Sequence, residues 1–163
     1  MGVGCPGGSE AIILALSFLT NSSVFTNPTE SGDDYFSFQV DFQNAFNAFE
    51  RQPLLDALCR SLTSREGDLR NLVPWIKWSN EVPAHLQFGP HALKSARGAQ
   101  QGDPLSGVCF ALVLQPIINR INRELPHLLL NRWYLDDGTL VAKGSDICRI
   151  LAIIFVKMLR RLD

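Results

Sequence analysis

Two adjacent carboxylates, Asp136 and Asp137, lie between apolar residues in the segment WYLDDGTL at positions 133–140. Asp-Gly between two β-prone runs is a strong hairpin signal, so the sequence predicts two strands with the bend at Asp-Gly and both acids at its tip. Like charges this close repel each other, and a divalent cation would offset the repulsion. The segment therefore indicates either a metal-binding pair or an ordinary polar turn, since Asp and Gly also favour turns.

A third acid, Asp41, lies at the end of a stretch in which apolar and more polar side chains alternate. The alternation predicts a strand over residues 35–42 with one core face and one open face. The predicted core set is Phe36, Phe38, Val40 and Phe42, and the predicted open set is Tyr35, Ser37, Gln39 and Asp41. Asp41 is therefore either a ligand at the open end of a sheet or an ordinary strand-end carboxylate.

The segment RGAQQGDPLS at positions 97–106 predicts the start of a helix. Asp103 is a favourable N-cap residue, and Pro104 suits the first helical position. Free backbone N–H groups at a helix start favour anions such as phosphate, although the charge of Asp103 partly offsets that potential. Gly102 lets another backbone approach closely, and Gln101 adds an uncharged hydrogen-bonding side chain. A helix cap and a phosphate-contacting loop are the two interpretations.

The remaining pattern predicts helices packed on one side of a sheet, which is an α+β fold with the acids on an open upper face. Ser9 is predicted to cap a helix from Glu10 to Thr20, whose apolar residues surround the axis and so require cover on most sides. A hairpin is expected from residues 84–88 and 92–95. The other predicted helices run from Pro53 to Leu62, from Gly67 to Val73 before Pro74, from Pro104 to Ile121, and onward from Ser145.

Length and composition restrict the class of protein. At 163 residues and 46% hydrophobic, the chain can bury one sizeable core, and a single domain is expected. Its net charge of −1 is unlike that of a free-standing nucleic-acid-binding protein, which usually relies on clustered Lys and Arg. The four cysteines lack Cys-x-x-Cys spacing, so buried free thiols in a reducing compartment are expected. The apolar run from Ala11 to Leu19 is too short to cross a bilayer, and no membrane span is expected.

Read together, these signals occur in an order that independent accidents would rarely produce. The chain resembles the reverse transcriptase domain of non-LTR (LINE-like) retrotransposons over nearly its whole length. The matching segments are VDFQNAFN at positions 40–47, QQGDPLS at 100–106 and WYLDDG at 133–138, and the opening GVGCPGGSEA at 2–11 is similar to a fingers segment of some such elements.

The resemblance implies a polymerase palm-like antiparallel sheet packed on helices, with part of the fingers. Residues 1–34 would form a fingers-side segment and residues 35–163 the palm, as a single partial domain. The N-terminal fingers residues would precede Met1 and the thumb would follow Asp163, so both are expected outside this sequence. The implied function is that of an RNA-directed DNA polymerase fragment from a retrotransposon, working by two-metal nucleotidyl transfer.

The resemblance also implies a role for particular residues. Asp41, Asp136 and Asp137 would hold two Mg²⁺ ions, with Mn²⁺ as a substitute, to activate the primer 3′ hydroxyl and stabilise the pyrophosphate leaving group. The backbone carbonyl of Phe42 would also contact a metal. Phe46 would lie under the incoming sugar and exclude a 2′ hydroxyl. The matched loop residues that would contact the nucleotide and the template are Gln101 and Gly102.

The implied partners are an RNA template, a DNA primer and deoxynucleoside triphosphates, and no membrane. Relatives act as ribonucleoprotein in the nucleus, so the nucleus is the expected location and the cytoplasm the alternative. Two other classes of function stay open at this point. One is a catalytically inactive retroelement remnant, or a reverse-transcriptase-like domain that binds nucleic acid or protein. The other is a structural domain in which all the acids serve turns and caps.

Overall fold

The fold was analysed in a computed structural model that describes residues 7–26, 34–63, 71–100 and 102–159. It is an α+β protein in which small antiparallel sheets pack against helices, as the sequence predicts. The helices are α1 Gly8–Thr20, α2 Ser23–Thr26, α3 Ala45–Ala48, α4 Arg51–Thr63, α5 Val73–Asn80, α6 Ser106–Glu124 and α7 Ile147–Leu159. The strands are β1 Tyr35–Val40, β2 Ala84–Phe88, β3 His91–Ser95, β4 Leu130–Tyr134 and β5 Asp137–Lys143. Of the helices described, none is both long and apolar enough to span a membrane.

The chain divides into two compact units. We call Met1–Phe42 with Gln115–Asp163 the sheet unit, and Gln43–Leu114 the middle unit. Helix α6 begins in the middle unit and ends in the sheet unit. The predicted division into a fingers-side segment 1–34 and a palm 35–163 stays a prediction, and the two compact units divide at other positions.

The sheet unit contains a three-stranded antiparallel sheet in the order β1-β5-β4. Its register pairs Val40 with Gly138 and Gly138 with Trp133, so these three residues lie on one face. A Cβ on Gly138 would lie 2.5 Å from the Trp133 ring, and glycine is therefore needed for the indole to cross the central strand. Trp133 and Leu140 are fully buried, which makes this face the core side of the sheet.

The predicted alternation along β1 is only partly confirmed. The ring of Phe42 stacks on Trp133 with the ring centroids 5.9 Å apart, so the core face continues two residues beyond the strand. Phe36, however, is 48% exposed, so its assignment to the core was wrong. The opposite face is open at the acid end of the sheet, where Gln39 is exposed. At its other end that face is closed, because Val141 is fully buried.

A second core lies in the middle unit, between α4, α5 and the first turns of α6. Its buried residues are Leu54, Leu58, Val73, Ile76, Ala99 and Cys109. Ala99 belongs to the loop before α6, so this loop is part of the core and its path is fixed by packing. Burial raises the pKa of the Cys109 thiol to about 11, with the negative charge of Asp103 adding to the shift.

Helix α1 differs from its prediction. It begins at Gly8 after Gly7, and the Ser9 hydroxyl donates to the Glu10 carboxylate at 3.0 Å without capping the helix. The apolar residues Leu14 and Phe18 are 69% and 77% exposed, and α1 contains no buried residue. The expectation that this helix is covered on most sides was therefore wrong for the residues described here.

The proline at position 74 begins a helix instead of ending one. Helix α5 starts at Val73 with Pro74 in its first turn, where the missing N–H costs nothing. The prediction that a helix from Gly67 ends at Val73 is wrong, because Val73 is the first residue of α5, and residues 64–70 lie outside the described part of the chain. The predicted hairpin is confirmed as β2 and β3, with Phe88 pairing directly with His91 across a two-residue turn.

The cysteine prediction needs a correction. Cys59, Cys109 and Cys148 are free, as expected, but Cys59 and Cys148 are exposed and only Cys109 is buried. Cys59 is in α4 and Cys148 in α7, and both lie on the solvent side of their helices. The apolar residues that flank them in the sequence did not show which side of the helix each cysteine faces. Cys5 lies outside the described residues.

Candidate active site

The bend of the β4–β5 hairpin lies two residues earlier than predicted. Tyr134 pairs with Asp137, so the two turn residues are Leu135 and Asp136, with Leu135 at φ 55°. Asp137 is the exposed first residue of β5, and Gly138 lies within the strand. The prediction that Asp-Gly forms the bend was wrong because Gly138 is required in the strand, beneath the Trp133 ring.

Register brings Asp41 beside this hairpin tip. Asp41 directly follows Val40, Asp137 directly precedes Gly138, and Val40 and Gly138 are paired. Asp41 and Asp137 therefore lie at the same end of neighbouring antiparallel strands, with Asp41 one residue beyond the last pair of the β1–β5 ladder. Asp137 lies on the open face, because the neighbouring Gly138 lies on the core face, and Asp41 is exposed one residue beyond β1.

The donor chemistry of this acidic tip fits a hard cation. Asp41 and Asp137 are exposed and Asp136 is half-buried, so their side chains can rotate and reach solvent. Among the described residues, no group of three or more His, Cys, Asp or Glu side chains is gathered closely enough to hold a metal ion. Mg²⁺ usually takes one or two carboxylates and fills its octahedron with water and substrate phosphates, so a prearranged three-ligand cage is not required.

A polar row lies on the open face one step behind the acids. Thr139 pairs with Gln39 on one side and with Arg132 on the other, and all three side chains point to that face. Arg132 is exposed, and its Nη1 donates to the Asn131 carbonyl oxygen at 3.1 Å. Arg132 was not predicted as a site residue, although it lies two residues before Tyr134 and so shares its face of the strand.

A buried polar link supports the hairpin from its core side. The Trp133 indole Nε1 donates to Asn131 Oδ1 at 2.7 Å, and Asn131 Nδ2 donates to Asn122 Oδ1 of α6 at 2.8 Å. Asn131 is 8% exposed, so this link satisfies a polar indole edge inside the core. This link fixes the Trp133 ring, against which Gly138 and Phe42 pack.

Phe46 lies in the middle unit, in the short helix α3. Its ring is half-buried and packs against Phe110 of α6, with the centroids 5.2 Å apart. Asn44, directly before this helix, has φ 55°, a conformation that Asn adopts more readily than most residues. The ring is therefore supported from one side by another aromatic residue.

The loop before α6 is fixed at both ends. Ala99 N–H donates to the Phe46 carbonyl oxygen at 2.7 Å, and the Ser106 hydroxyl donates to the Gln100 carbonyl oxygen at 2.6 Å. Gly102 has φ 90° and an added Cβ there would meet no atom within 4 Å, so the glycine serves backbone conformation at an open position. Gln101 lies outside the described residues.

The helix start itself is two residues later than predicted. The Asp103 carboxylate accepts the Leu105 N–H at 2.9 Å, which is a local cap, but α6 begins at Ser106. Pro104 therefore lies in the preceding turn and not at the first helical position.

The site thus defines an α+β chain with an acidic hairpin tip at one end of an antiparallel sheet. No family model matches the chain. A retrovirus-related Pol polyprotein from a type-1 retrotransposable element R2 of Nasonia vitripennis is 30% identical to it over 91 residues, which make up 55% of this chain and 9% of that protein. The chain therefore spans less than a tenth of the relative, and the similarity supports a retroelement-related origin.

Proposed function

We propose that this chain is a reverse transcriptase fragment, the palm and part of the fingers of an RNA-directed DNA polymerase from a non-LTR retrotransposon. The observation that carries the proposal is the register that pairs Val40 with Gly138, because Asp41 directly follows Val40 and Asp137 directly precedes Gly138, with Asp136 in the adjoining turn. Two acids that are far apart in the sequence thus come to the same end of one sheet, as a shared metal site requires. The similarity to a retrotransposon Pol polyprotein supports the retroelement-related origin that the proposal assumes.

In this proposal, Asp41, Asp136 and Asp137 hold two Mg²⁺ ions, for which Mn²⁺ can substitute, and the backbone carbonyl of Phe42 adds a further ligand. The bound ions supply activation of the primer 3′ hydroxyl and charge stabilisation of the leaving pyrophosphate. The carboxylates would set the ion position from the end of the sheet, where Asp41 follows β1, Asp136 lies in the turn and Asp137 begins β5, and the Phe42–Trp133 stack holds the end of β1 in place.

The middle unit supplies nucleotide contacts in the same proposal. Phe46 forms the wall under the incoming sugar, where its ring, backed by Phe110, resists displacement by a 2′ hydroxyl. Gln101 and Gly102 contact the nucleotide and the template. Gly102 suits this role because its left-handed conformation and open surroundings let a ligand approach the backbone.

The proposed partners are an RNA template, a DNA primer and deoxynucleoside triphosphates, and the proposed location is the nucleus. The row of Gln39, Thr139 and Arg132 gives the primer backbone a polar surface on the same face as the acids. Arg132 adds a positive charge there, which attracts phosphate.

The test is primer extension on an RNA template, with the chain expressed together with whatever coding sequence flanks it in its gene. The wild-type protein should extend the primer with deoxynucleotides in Mg²⁺. Asp136→Asn should abolish extension while leaving the melting temperature within a few degrees. Glu81→Gln, an exposed acid in an i,i+4 pair with Lys77, is the matched control and should extend normally. A folded wild-type protein that yields no product contradicts the proposal.

A non-catalytic reverse-transcriptase-like domain is the second candidate. It is favoured by the observation that no three acidic or metal-ligating side chains are gathered together in the described part of the chain. Such a domain would bind a primer–template duplex equally well with or without Mg²⁺, and Asp136→Asn would not change that binding.

A further inference from the structure

Arg51, the first residue of α4, joins its helix to the segment that leads into the Gly102 loop. Its Nε donates to the Gly98 carbonyl oxygen at 2.9 Å, and its Nη1 donates to the Ser95 carbonyl oxygen at 3.0 Å. Its Nη2 donates to the Ser95 hydroxyl at 3.2 Å and to the Arg97 carbonyl oxygen at 3.3 Å. One planar guanidinium thus holds three backbone carbonyls of residues 95–98, which a lysine ammonium could not do.

The charge of Arg51 is used for this contact and not for an ion pair. Within the described residues, Arg51 has no carboxylate within salt-bridge distance, and its partners are carbonyl and hydroxyl oxygens alone. Burial lowers the pKa of Arg51 from its ordinary value, though an arginine stays charged at neutral pH. A charged donor in a partly buried place makes stronger hydrogen bonds than a neutral one.

Backbone contacts bind the same two segments together. Gly98 N–H donates to the Phe49 carbonyl oxygen at 2.8 Å, and Ala99 N–H donates to the carbonyl oxygen of Phe46 itself at 2.7 Å. Glu50 pairs with Arg97 as an isolated β-bridge and as an ion pair at 2.9 Å. The residue that would form the sugar wall is therefore connected directly to the loop that would contact the nucleotide.

Gly98 allows this close approach. It has φ +63°, and an added Cβ would lie 2.5 Å from the Asn47 Cα. No side chain on Gly98 would fit between the two segments. Arg51 therefore binds the segment from the side of α4, through the carbonyl oxygens of residues 95–98. The far end of the loop is closed by the Ser106 hydroxyl, which donates to the Gln100 carbonyl oxygen.

We propose that Arg51 is a positioning residue for nucleotide selection: it fixes the Gly102 loop relative to Phe46 and so sets the preference for deoxynucleotides over ribonucleotides. This inference rests on the proposed polymerase function and deepens it. Arg51 does not touch the substrate. It acts through residues 95–99, which it holds at a fixed separation from the segment that carries Phe46.

The test compares Arg51→Met and Arg51→Lys in single-nucleotide incorporation, with KM and kcat measured for a deoxynucleotide and for the matching ribonucleotide. Arg51→Met should raise KM for the deoxynucleotide and reduce the sugar preference, each by about tenfold, because a misplacement of about 1 Å costs up to about a hundredfold and the other loop contacts remain. Arg51→Lys should recover part of both losses. The affinity for the primer–template duplex should stay the same in both variants.

Gln52→Met is the control, because Gln52 is the next residue of α4 and donates only to Asp56 of the same helix. It should match the wild type in all four constants. Should Arg51→Met fail to fold, Arg51→Lys and Ser95→Ala test the same contact, and each should lower the sugar preference. Amide exchange of Gly98 and Ala99 should be faster in every Arg51 variant and unchanged in Gln52→Met.

The outcomes separate the inference from the function on which it rests. An active wild-type protein whose sugar preference and KM are unchanged in Arg51→Met would overturn the positioning role and leave the polymerase assignment intact. A folded wild-type protein without any incorporation would overturn the polymerase assignment, and the role of Arg51 in nucleotide selection with it.

Discussion

At the scale of single residues, two glycines with the same backbone conformation have different reasons to be glycine. Gly98 and Gly89 have φ +63° and φ +57°. An added Cβ on Gly98 would meet the backbone of Phe46 and Asn47, whereas one on Gly89 would meet nothing within 4 Å. Conformation alone explains Gly89, and close approach of another segment explains Gly98 in addition.

We therefore expect Gly98→Ala to lower the free energy of unfolding by about 3 kcal/mol or more, from left-handed strain and backbone overlap together. Gly89→Ala is the matched control and should cost about 1 kcal/mol, for strain alone. Urea unfolding of the two variants measures both values. Equal losses would show that the contact between residues 46–47 and Gly98 is not tight.

Cys109 makes stability depend on pH in the alkaline range. Its thiol pKa is raised to about 11 by burial and by the charge of Asp103, while an unfolded cysteine ionises near its ordinary value. Between those two pKa values the unfolded chain loses a proton that the folded chain keeps, so stability falls as pH rises from about 9 to 11. Below about pH 9 both states hold the proton, and Cys109 contributes no slope.

The measurement is the free energy of unfolding at several values of pH for the wild type and for Cys109→Ala. The difference between the two proteins should be constant below about pH 9 and should shrink above it. A difference in the free energy of unfolding that does not change up to pH 11 would show that the Cys109 thiol ionises as easily in the folded protein as in the unfolded chain.

At the scale of elements, the hairpin that carries the acids depends on a link to α6. Asn131 accepts from the Trp133 indole and donates to Asn122, and the indole lies over Gly138. Removing the amide leaves the buried indole N–H of Trp133 without its acceptor, which is more costly than losing an exposed hydrogen bond.

Asn131→Ala should therefore lower the free energy of unfolding by about 1–3 kcal/mol. Asn119→Ala removes an exposed amide that only accepts from Gln115 on the same helix, and it should cost well under 1 kcal/mol. Thermal and urea unfolding compare the pair. If Asn119→Ala costs as much as Asn131→Ala, the buried link does not stabilise the hairpin.

The sequence predicted the elements better than their boundaries. Alternation along residues 35–42 and the Asp-Gly signal were sufficient to predict β1 and the β4–β5 hairpin. The bend was misplaced because the fit of Gly138 beneath the Trp133 ring is a tertiary constraint without local signal. The role of Arg51 was missed for the same reason, since its partners lie 44 to 47 positions away.

At the scale of the whole molecule, the proposed active site depends on strands that are far apart in the sequence and adjacent in one sheet. No local pattern predicts that Val40 pairs with Gly138, and the order of the three motifs suggested it only through resemblance to a family. The pattern did not predict the exposure of α1 either, because helical periodicity does not show whether another element covers an apolar surface.

Asp41 and the Asp136-Asp137 pair are proposed to hold the same divalent cation, and titration of the protein with Mn²⁺ measures whether they do. Asp41→Asn and Asp136→Asn should each weaken Mn²⁺ binding by about tenfold, which corresponds to about 1.4 kcal/mol. Glu81→Gln should bind Mn²⁺ as the wild type does. If Asp41→Asn binds Mn²⁺ as tightly as the wild type while Asp136→Asn does not, the two acids do not share an ion and the proposed active site is wrong.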